Sequence, residues 1–192
     1  MIVYVYMNLY DFDKTIFDGE SSSEFYFFLI KRHPKLFWHF FVALFYSLCK
    51  IFHLISTKTY KEKTLGILKY IKEPQREVRE FGKKKKNQIF AYYLKNRQES
   101  DVICSASPEF LVKEIMSHIN PSAIIVASQI SLNTGKFEKG FNNCKGNNKV
   151  KYLKDKGLTS FENGFSDSKK DKPMLTLCQN KYKIKNGKIS QF

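Results

Sequence analysis

Three short apolar runs that end in acidic or hydroxyl residues constrain the fold of this chain most strongly. They are Val3–Tyr10 before Asp11, Asp101–Cys104 before Ser105, and Thr159–Phe165 before Ser166. Each run is followed by a loop or helix pattern, which predicts parallel strands alternating with helices in an α/β fold. Because the carboxyl ends of parallel strands meet at one edge of a sheet, we expect the functional residues to collect there.

The stretch between the first two runs has helical patterns throughout. Residues 21–24 (Ser-Ser-Ser-Glu) predict a capping box at the start of a helix that runs to about Arg32. Further helices are predicted at Leu36–Ile55, Thr57–Lys72 and Pro74–Gln98. We therefore expect a catalytic core formed by residues 1–19 and 98–192. An all-helical insertion at residues 20–97, called the helical segment below, would interrupt it.

The rest of the chain continues the alternation of helices and strands. The predicted elements are a helix at Pro108–His118, a strand at Ala123–Ser128, a hairpin at residues 129–139, helices at Asn147–Lys156 and Lys172–Cys178, and two strands within Lys181–Gln191. Turns are expected at residues 133–135 and at Asn186-Gly187, where asparagine and glycine tolerate the backbone angles of a tight hairpin.

The composition bears on partners and location. The net charge is +15, but it comes almost entirely from lysine, and arginine occurs only at positions 32, 76, 79 and 97. Nucleic-acid sites favour the bidentate arginine fork, so no specific nucleic-acid partner is expected; a positive field would still attract a phosphorylated substrate.

The four cysteines form no C-x-x-C pair, and the N-terminus lacks the layout of a signal peptide, whether Met1 or Met7 is the start. Both features favour a reducing, cytoplasmic location.

The first strand end carries two carboxylates, Asp11 and Asp13, in the string Asp-Phe-Asp-Lys-Thr that ends at Thr15. Carboxylates two residues apart, where a chain turns out of a strand, can both point into one site. One can attack a substrate while the other transfers protons, as is needed when a leaving group must be protonated. Such a string alone is equally compatible with a turn that caps a helix, so its meaning depends on the motifs that accompany it.

Three further motifs follow in order. Ser105 lies in Val102–Pro108, two lysines lie in Asn143–Lys149, and two aspartates lie in Gly164–Asp171. Together with the two carboxylates after the first strand, these motifs resemble those of the haloacid dehalogenase superfamily, specifically its phosphoserine phosphatase-like branch. The resemblance covers essentially the whole chain. It implies a Rossmann-like core with a parallel sheet, and it implies that the helical segment is the cap of that core.

The resemblance implies a role for each aspartate. Asp11 would be the nucleophile that accepts the phosphoryl group, and Asp13 would protonate the leaving oxygen and then activate water. Asp11, the carbonyl group of Asp13 and Asp167 would bind Mg²⁺, and Asp171 would support that metal site. An oxygen-rich site without histidine or cysteine suits Mg²⁺, which is a hard cation.

The same resemblance implies that Thr15, Ser105 and a lysine bind the phosphate, with Thr15 also steadying the turn. Lys145 matches the position used in phosphoserine phosphatases, whereas Lys149, one helical turn later, matches many of their uncharacterised relatives. We expect Lys149 to bind the phosphate, with Lys145 as the alternative. The last motif begins with Ser166 where many members have glycine, and serine is small enough that we expect activity to survive.

Glu20 lies where phosphoserine phosphatases place an acidic residue that contacts the substrate amine. It also precedes a predicted helix, whose positive end it would complement, so the two explanations stay open. None of the four arginines can be assigned to a substrate carboxylate. The sequence therefore does not identify the substrate.

The predicted helix at Leu36–Ile55 is strongly apolar, with its polar residues His39, Tyr46, Lys50 and His53 on one narrow stripe. The apolar run is short for a membrane span, and a single crossing would separate the first motif from the others. One alternative is a helix buried on most sides, which such a composition favours. The other is a helix that lies in the membrane interface or admits a lipid phosphate, with His39, Lys50 and His53 facing the active site or headgroups.

These observations favour a cytoplasmic Mg²⁺-dependent phosphatase that hydrolyses a small phosphomonoester through an aspartyl-phosphate. One alternative is a lipid phosphate phosphatase attached to an anionic membrane surface. A second is a non-catalytic basic binding module, which would have little reason to keep four clustered acids. The oligomeric state does not follow from the sequence.

Overall fold

A six-stranded sheet forms the centre of the protein. The computed structural model describes residues 7–191, which contain strands β1 (Asn8–Tyr10), β2 (Val102–Pro108), β3 (Ile124–Ser128), β4 (Phe161–Ser166), β5 (Cys178–Lys185) and β6 (Lys188–Gln191). The strand order is β3-β2-β1-β4-β5-β6, and every pair is parallel except β5 with β6. The predicted α/β fold class is confirmed. Residues 3–6 of the first predicted strand, and the candidate start Met1, lie outside the described residues.

Five of the α-helices described in residues 7–191 fall between β1 and β2, within the helical segment. They are α1 (Ser21–Arg32), α2 (Trp38–Ile51), α3 (Thr57–Leu65), α4 (Pro74–Lys85) and α5 (Ala91–Asn96). Three more follow β2: α6 (Glu109–Ser117), α7 (Asn147–Asp155) and α8 (Lys172–Leu175). Short 3-10 helices at Pro34–Leu36, Gly66–Tyr70, Lys86–Gln88 and Lys169–Asp171 join them. The predicted long helices at 57–72 and 74–98 are thus each broken into shorter pieces.

Both faces of the sheet are buried at its central strands β1 and β2, as expected for parallel strands covered by helices, whereas β6 at one edge is exposed. Leu9 packs in one apolar cluster with Val102, and the next residue, Tyr10, packs in a second cluster with Ile103. This division follows from the period of two along a strand, which sends successive side chains to opposite faces. The first cluster joins the sheet to α7 and α8, and the second joins it to α6 and the helical segment. The central strand β1 is therefore held from both sides.

Both predicted hairpins are present, and they differ in length. The turn at Asn186-Gly187 is confirmed, with positive φ at both residues and antiparallel strands on either side. The hairpin predicted at residues 129–139 is confirmed as a short one: an antiparallel bridge joins Ile130 to Phe137, and the N–H groups of Ser131 and Glu138 donate to the Lys136 and Gln129 carbonyls. A Cβ at Gly135 would come within 2.1 Å of the Leu65 carbonyl oxygen. This loop thus packs closely against the end of α3, a long-range contact that no local pattern carries.

Helix α2 contradicts the expectation that it is buried on most sides. His39 and Ala43 are its buried residues, whereas the opposite face is exposed to solvent. That face, called the apolar ridge below, consists of Phe37, Trp38, Phe41, Leu44, Phe45, Leu48, Ile51 and Phe52, each 46–69% exposed. Two residues of the polar stripe face inward: the Tyr26 hydroxyl contacts His39, and Lys50 donates to Thr57, whereas His53 is exposed. Within residues 7–191, no helix is long and apolar enough to cross a membrane.

Candidate active site

A cleft of about 440 Å³ lies where the carboxyl ends of β1 and β4 meet the helical segment. Asp11 and Asp13 line it directly after β1, and Asp167 and Asp171 line it after β4. Lys149 reaches the same cleft from the first turn of α7. The structure therefore brings together the four aspartates and the lysine that the motifs predicted, although β1 and β4 are separated by about 150 residues of chain.

A buried lysine lies between two of these carboxylates. The Lys149 ammonium donates to Asp11 Oδ1 at 2.6 Å and to Asp171 Oδ2 at 2.9 Å. All three residues are less than 10% exposed. The Ser166 hydroxyl donates to the same Asp171 oxygen at 2.8 Å, so the serine that replaces the expected glycine takes part in this network. A cation in this position offsets the repulsion of two buried carboxylates.

The pKa values at this site reflect burial and charge together. Burial raises the pKa of Asp11 to about 7, although the Lys149 ammonium opposes that shift. Burial alone would lower the pKa of Lys149, but the carboxylates of Asp11 and Asp171 outweigh it and raise that pKa well above its usual range. Lys149 is therefore a permanent cation beside Asp11, and its charge favours the ionised, nucleophilic form of that carboxylate.

Asp13 is held by the start of α1 and by the end of β2. Its Oδ1 accepts from the Ser21 backbone N–H at 2.7 Å, and its Oδ2 accepts from the Ser107 hydroxyl. The capping box predicted at residues 21–24 is wrong, because the N-cap residue is Glu20 and its side chain makes no capping hydrogen bond. Asp13 instead accepts from the Ser21 N–H, which has no partner within α1, and its negative charge complements the positive N-terminus of that helix. Burial raises the pKa of Asp13 despite both hydrogen bonds, which favours a carboxyl group that can carry a proton.

Thr15 joins the loops after β1 and β4 rather than lining the cleft. Its hydroxyl oxygen accepts from the Asp167 backbone N–H at 3.0 Å, and its carbonyl accepts from the Tyr92 hydroxyl at 2.7 Å. This arrangement fits the predicted steadying of the turn. Burial raises the pKa of Asp167, and the nearby Asp171 charge adds to that shift.

Ser105 lies just beneath the wall of the cleft. It is 1% exposed, and its hydroxyl oxygen accepts from the Ser107 backbone N–H at 3.0 Å. The wall itself is formed by Ala106 and Ser107. Ser107 is a residue that the sequence reasoning missed, although it stands in the same motif as Ser105. A direct contact of Ser105 with phosphate stays a prediction.

Besides the buried Lys149, the cleft contains a partly buried lysine that no sequence motif indicated. Lys61 of α3 donates to the Ala106 carbonyl at 2.6 Å and to Asn143 Oδ1 at 2.8 Å. Burial lowers its pKa to about 8, while the charge of Asp13 partly opposes the shift. Lys145, the alternative phosphate ligand, is an exposed residue on the same cleft. Nothing local marks Lys61 among the many lysines, because only tertiary packing brings α3 to this place.

The proposed specificity residues do not all reach the cleft. Glu20 lines it and forms an exposed ion pair with Lys14 at 2.6 Å. His39 is 3% exposed and bonded to Tyr26, His53 is exposed just after α2, and neither lines the cleft. Lys50 lies one layer behind, bonded to a threonine of the cleft wall. Of the two predicted surroundings of this stripe, the active site is wrong, because His39 packs on Tyr26 of α1 and Lys50 on Thr57 of α3; a contact with headgroups stays a prediction.

The donors near Asp11 suit a magnesium ion. Among residues 7–191, no three His, Cys, Asp or Glu side chains are grouped closely enough to hold a metal by themselves. The set predicted here contains only two carboxylates, Asp11 and Asp167, and the backbone carbonyl of Asp13. Mg²⁺ keeps several waters and is commonly held by one or two carboxylates, so this oxygen set fits it.

Comparison of the sequence with protein families gives one match that spans most of the chain. The family of haloacid dehalogenase-like hydrolases matches residues 9–176. This range contains all four motifs and the helical segment. Among curated proteins, no sequence matches this chain.

Solved structures with the same fold include three informative neighbours. A protein of unknown function from Bordetella pertussis Tohama I has a TM-score of 0.68 at 14% identity, covering 92% of this chain and 88% of its own. A phosphoserine phosphohydrolase-like protein from Francisella tularensis subsp. tularensis SCHU S4 has a TM-score of 0.55 at 19% identity, with coverages of 92% and 85%. A phosphoserine phosphatase in its apo form has a TM-score of 0.53 at 18% identity, with coverages of 92% and 84%. At these identities the likeness establishes the fold.

The Lys149 network leads to a prediction about stability. Lys149→Met should leave two buried carboxylates without their cation and should lower the free energy of unfolding by about 3–5 kcal/mol. The matched control is Lys145→Met, which removes an exposed lysine from the same loop region and should change stability little. Urea unfolding of both variants with EDTA present measures the difference. Equal stabilities of the two variants would contradict the stabilising role of Lys149.

Proposed function

The chain belongs to the haloacid dehalogenase-like hydrolase family, and on that premise we propose that it is a Mg²⁺-dependent phosphatase that hydrolyses a phosphomonoester through an aspartyl-phosphate on Asp11. The observation that supports this most directly is the pair of carboxylates after β1. Asp11 contacts a buried lysine, and Asp13 is turned toward a helix N-terminus and a serine hydroxyl. Two carboxylates in one cleft thus have different surroundings, as a nucleophile and an acid–base group require.

In the first step, a carboxylate oxygen of Asp11 attacks the phosphorus atom. The bond from phosphorus to the leaving oxygen breaks, and Asp13 donates its proton to that oxygen. Lys149 compensates the negative charge around the attacking carboxylate, which otherwise would repel an anionic substrate. The contacts of Asp13 with Ser21 and Ser107 keep its carboxyl group fixed beside the cleft.

In the second step, Asp13 is ionised and accepts a proton from water. The water oxygen attacks phosphorus, the bond from phosphorus to Asp11 breaks, and inorganic phosphate leaves with Asp11 regenerated. Asp13 recovers its proton in the same event, so the cycle is balanced. Asp11, Asp167 and the Asp13 carbonyl would hold Mg²⁺, which when bound would neutralise charge on the phosphoryl oxygens.

The substrate is proposed to be a small phosphorylated molecule. Several lysines line the cleft, and their positive charge suits a phosphate group. These lining lysines are Lys14, Lys61, Lys145, Lys149 and Lys170. The phosphoserine phosphatase among the structural neighbours makes phosphoserine a reasonable first test compound, and Glu20 on the cleft wall is the group that would meet its amine.

Phosphate release tests this function. Purified protein with Mg²⁺ should release phosphate from p-nitrophenyl phosphate or from another small phosphomonoester in a panel that includes phosphoserine. EDTA and the substitution Asp11→Asn should each abolish release, because they remove the metal and the nucleophile. The matched control is Asp18→Asn, a nearby aspartate outside the cleft lining, which should keep activity. Release that persists in Asp11→Asn would contradict the mechanism.

Lys61 should give the phosphatase activity a specific pH dependence. Because the pKa of Lys61 is lowered to about 8, its charge is present below pH 8 and is lost above it. The attraction of the anionic substrate should then weaken as pH rises through 8. The pH dependence of kcat/KM reports the pKa values of groups in the free enzyme, so kcat/KM should fall there. Lys61 is faced by Asp13 and Glu20 from the β1 loop and by Cys144 and Lys145 from the loop before α7.

Two substitutions test this dependence by the pH profile of kcat/KM. Lys61→Met should lower kcat/KM at pH 7 and remove the fall near pH 8, whereas Lys61→Arg should keep activity at high pH because arginine stays charged. An unchanged profile in Lys61→Met would show that Lys61 does not interact with substrate.

A further inference from the structure

Apart from the contact of Trp38 with Tyr70, the apolar ridge of α2 lies open within the described part of the chain, and we propose that it docks in the interface of an anionic lipid bilayer. The ridge residues repeat at intervals of three and four, so they form one continuous face along the whole helix. Phe41, Phe45 and Phe52 are each at least 60% exposed. Exposed apolar patches of this kind mark interaction surfaces in soluble proteins. The inference concerns binding alone and is independent of the proposed function.

The charges around the ridge indicate which partner it fits. No acidic residue occurs between Glu24 and Glu62, so the stretch that contains α2 carries no negative side chain. Lys35 is exposed directly before α2. Two further lysines flank the helix from the side: Lys63 lies over the Tyr46 ring, and Lys69 lies over Tyr70, whose ring contacts Trp38. An apolar face rimmed by lysine is complementary to anionic headgroups above acyl chains.

The length of α2 favours a helix that lies along the bilayer rather than across it. Its 14 residues span about 21 Å, which is less than the roughly 30 Å hydrocarbon core. The inward face of α2 remains packed on α3 through Lys50 and Thr57. Trp38 and Tyr70 stand together at one end of the ridge, and such amphipathic rings favour the headgroup level of a membrane.

A second copy of the chain fits the ridge less well than lipid does. A twofold contact places the same patch on both partners, so the lysine rim would meet another lysine rim. The acidic residues that follow in the helical segment are already engaged: Glu62 accepts from the Phe137 N–H, Glu73 pairs with Arg76, and Glu77 pairs with Arg32. Phosphate groups of anionic lipids supply the negative charge that the chain itself lacks at this surface.

Docking through the ridge would leave the cleft free. Thr57 and Tyr60 of α3 line the cleft, and the Lys50 side of α2 packs against both residues. The ridge lies on the opposite side of α2. Attachment to a bilayer therefore does not require any cleft residue to enter lipid, and hydrolysis of a soluble substrate would be compatible with the bound state.

The only tryptophan of the chain, Trp38, reports directly on this surface. Unilamellar vesicles of phosphatidylglycerol and phosphatidylcholine should shift its fluorescence to shorter wavelength, and brominated acyl chains should quench it. The protein should co-float with these vesicles, but not with vesicles of phosphatidylcholine alone. Salt should weaken binding, because the lysine rim contributes through a screened interaction. The experiment is done without Mg²⁺ or substrate, so its result does not depend on catalysis.

Matched variants test whether vesicle binding depends on the ridge or on any exposed apolar side chain. Phe41→Ser combined with Phe45→Ser should weaken vesicle binding by at least about tenfold, because two phenylalanine rings no longer enter lipid. Leu94→Ser, which removes an exposed apolar side chain of α5, should bind like the original chain. Lys35→Glu combined with Lys69→Glu should reduce binding to anionic vesicles. Thermal unfolding of each variant verifies that it folds.

Three outcomes would overturn the proposal. The first is an unshifted Trp38 spectrum with anionic vesicles. The second is vesicle binding that the two serine substitutions leave unchanged. The third is a dimer in analytical ultracentrifugation that those substitutions dissociate, with no binding to vesicles, since a second copy would then be the occupant of the ridge.

Discussion

The ammonium group of Lys149, buried between Asp11 and Asp171, is the interaction on which the candidate site depends. Two carboxylates cannot be buried side by side as anions unless a cation accompanies them, and this lysine reaches them from a different element, the first turn of α7. The contact therefore ties the loop after β1 to the loop after β4. It also keeps a positive charge beside the carboxylate that we propose as nucleophile, so the same ion pair serves folding and chemistry.

The sheet explains why these groups meet. Strand β1 is central and pairs in parallel with β2 and β4, so the chain leaves all three strands at one edge. Thr15 and Asp13 then connect the loops to one another and to the start of α1. The helical segment closes this edge from above through α3, which places Lys61 in the cleft. Residues far apart in the sequence thus share one site because of strand order.

Much of the core could be predicted from the sequence, because its signals are local. The strand ends at Asp11 and Ser166 and the turn at Asn186-Gly187 follow from apolar runs and turn chemistry, whereas the helix at Ser21–Arg32 was predicted from a capping box that the structure does not contain. The motifs also predicted which aspartates converge and favoured Lys149 over Lys145. The structure places Lys149 against Asp11, although its contact with phosphate stays a prediction.

The features that could not be predicted depend on long-range packing. An apolar helix gives the same pattern whether its apolar side faces a core or solvent, and only the partners of His39 and Lys50 decide that the polar stripe of α2 turns inward. Lys61 stands in no motif, and its position depends on how α3 packs over the Ala106 carbonyl. The start of α1 is capped by Asp13, which lies across the site, and not by the local capping box that the sequence predicted.

Chemical identification of the phosphorylated residue decides whether Asp11 is the nucleophile. Asp13→Asn should still accept a phosphoryl group from p-nitrophenyl phosphate, because nitrophenolate leaves without a proton, but should release it slowly. Borohydride reduction of the quenched protein converts an aspartyl-phosphate to homoserine, and peptide mass spectrometry locates it. We expect homoserine at position 11 and none when Asp11→Asn is added. Phosphate turnover by the original chain with position 11 unmodified, or with the modification at another residue, would contradict it.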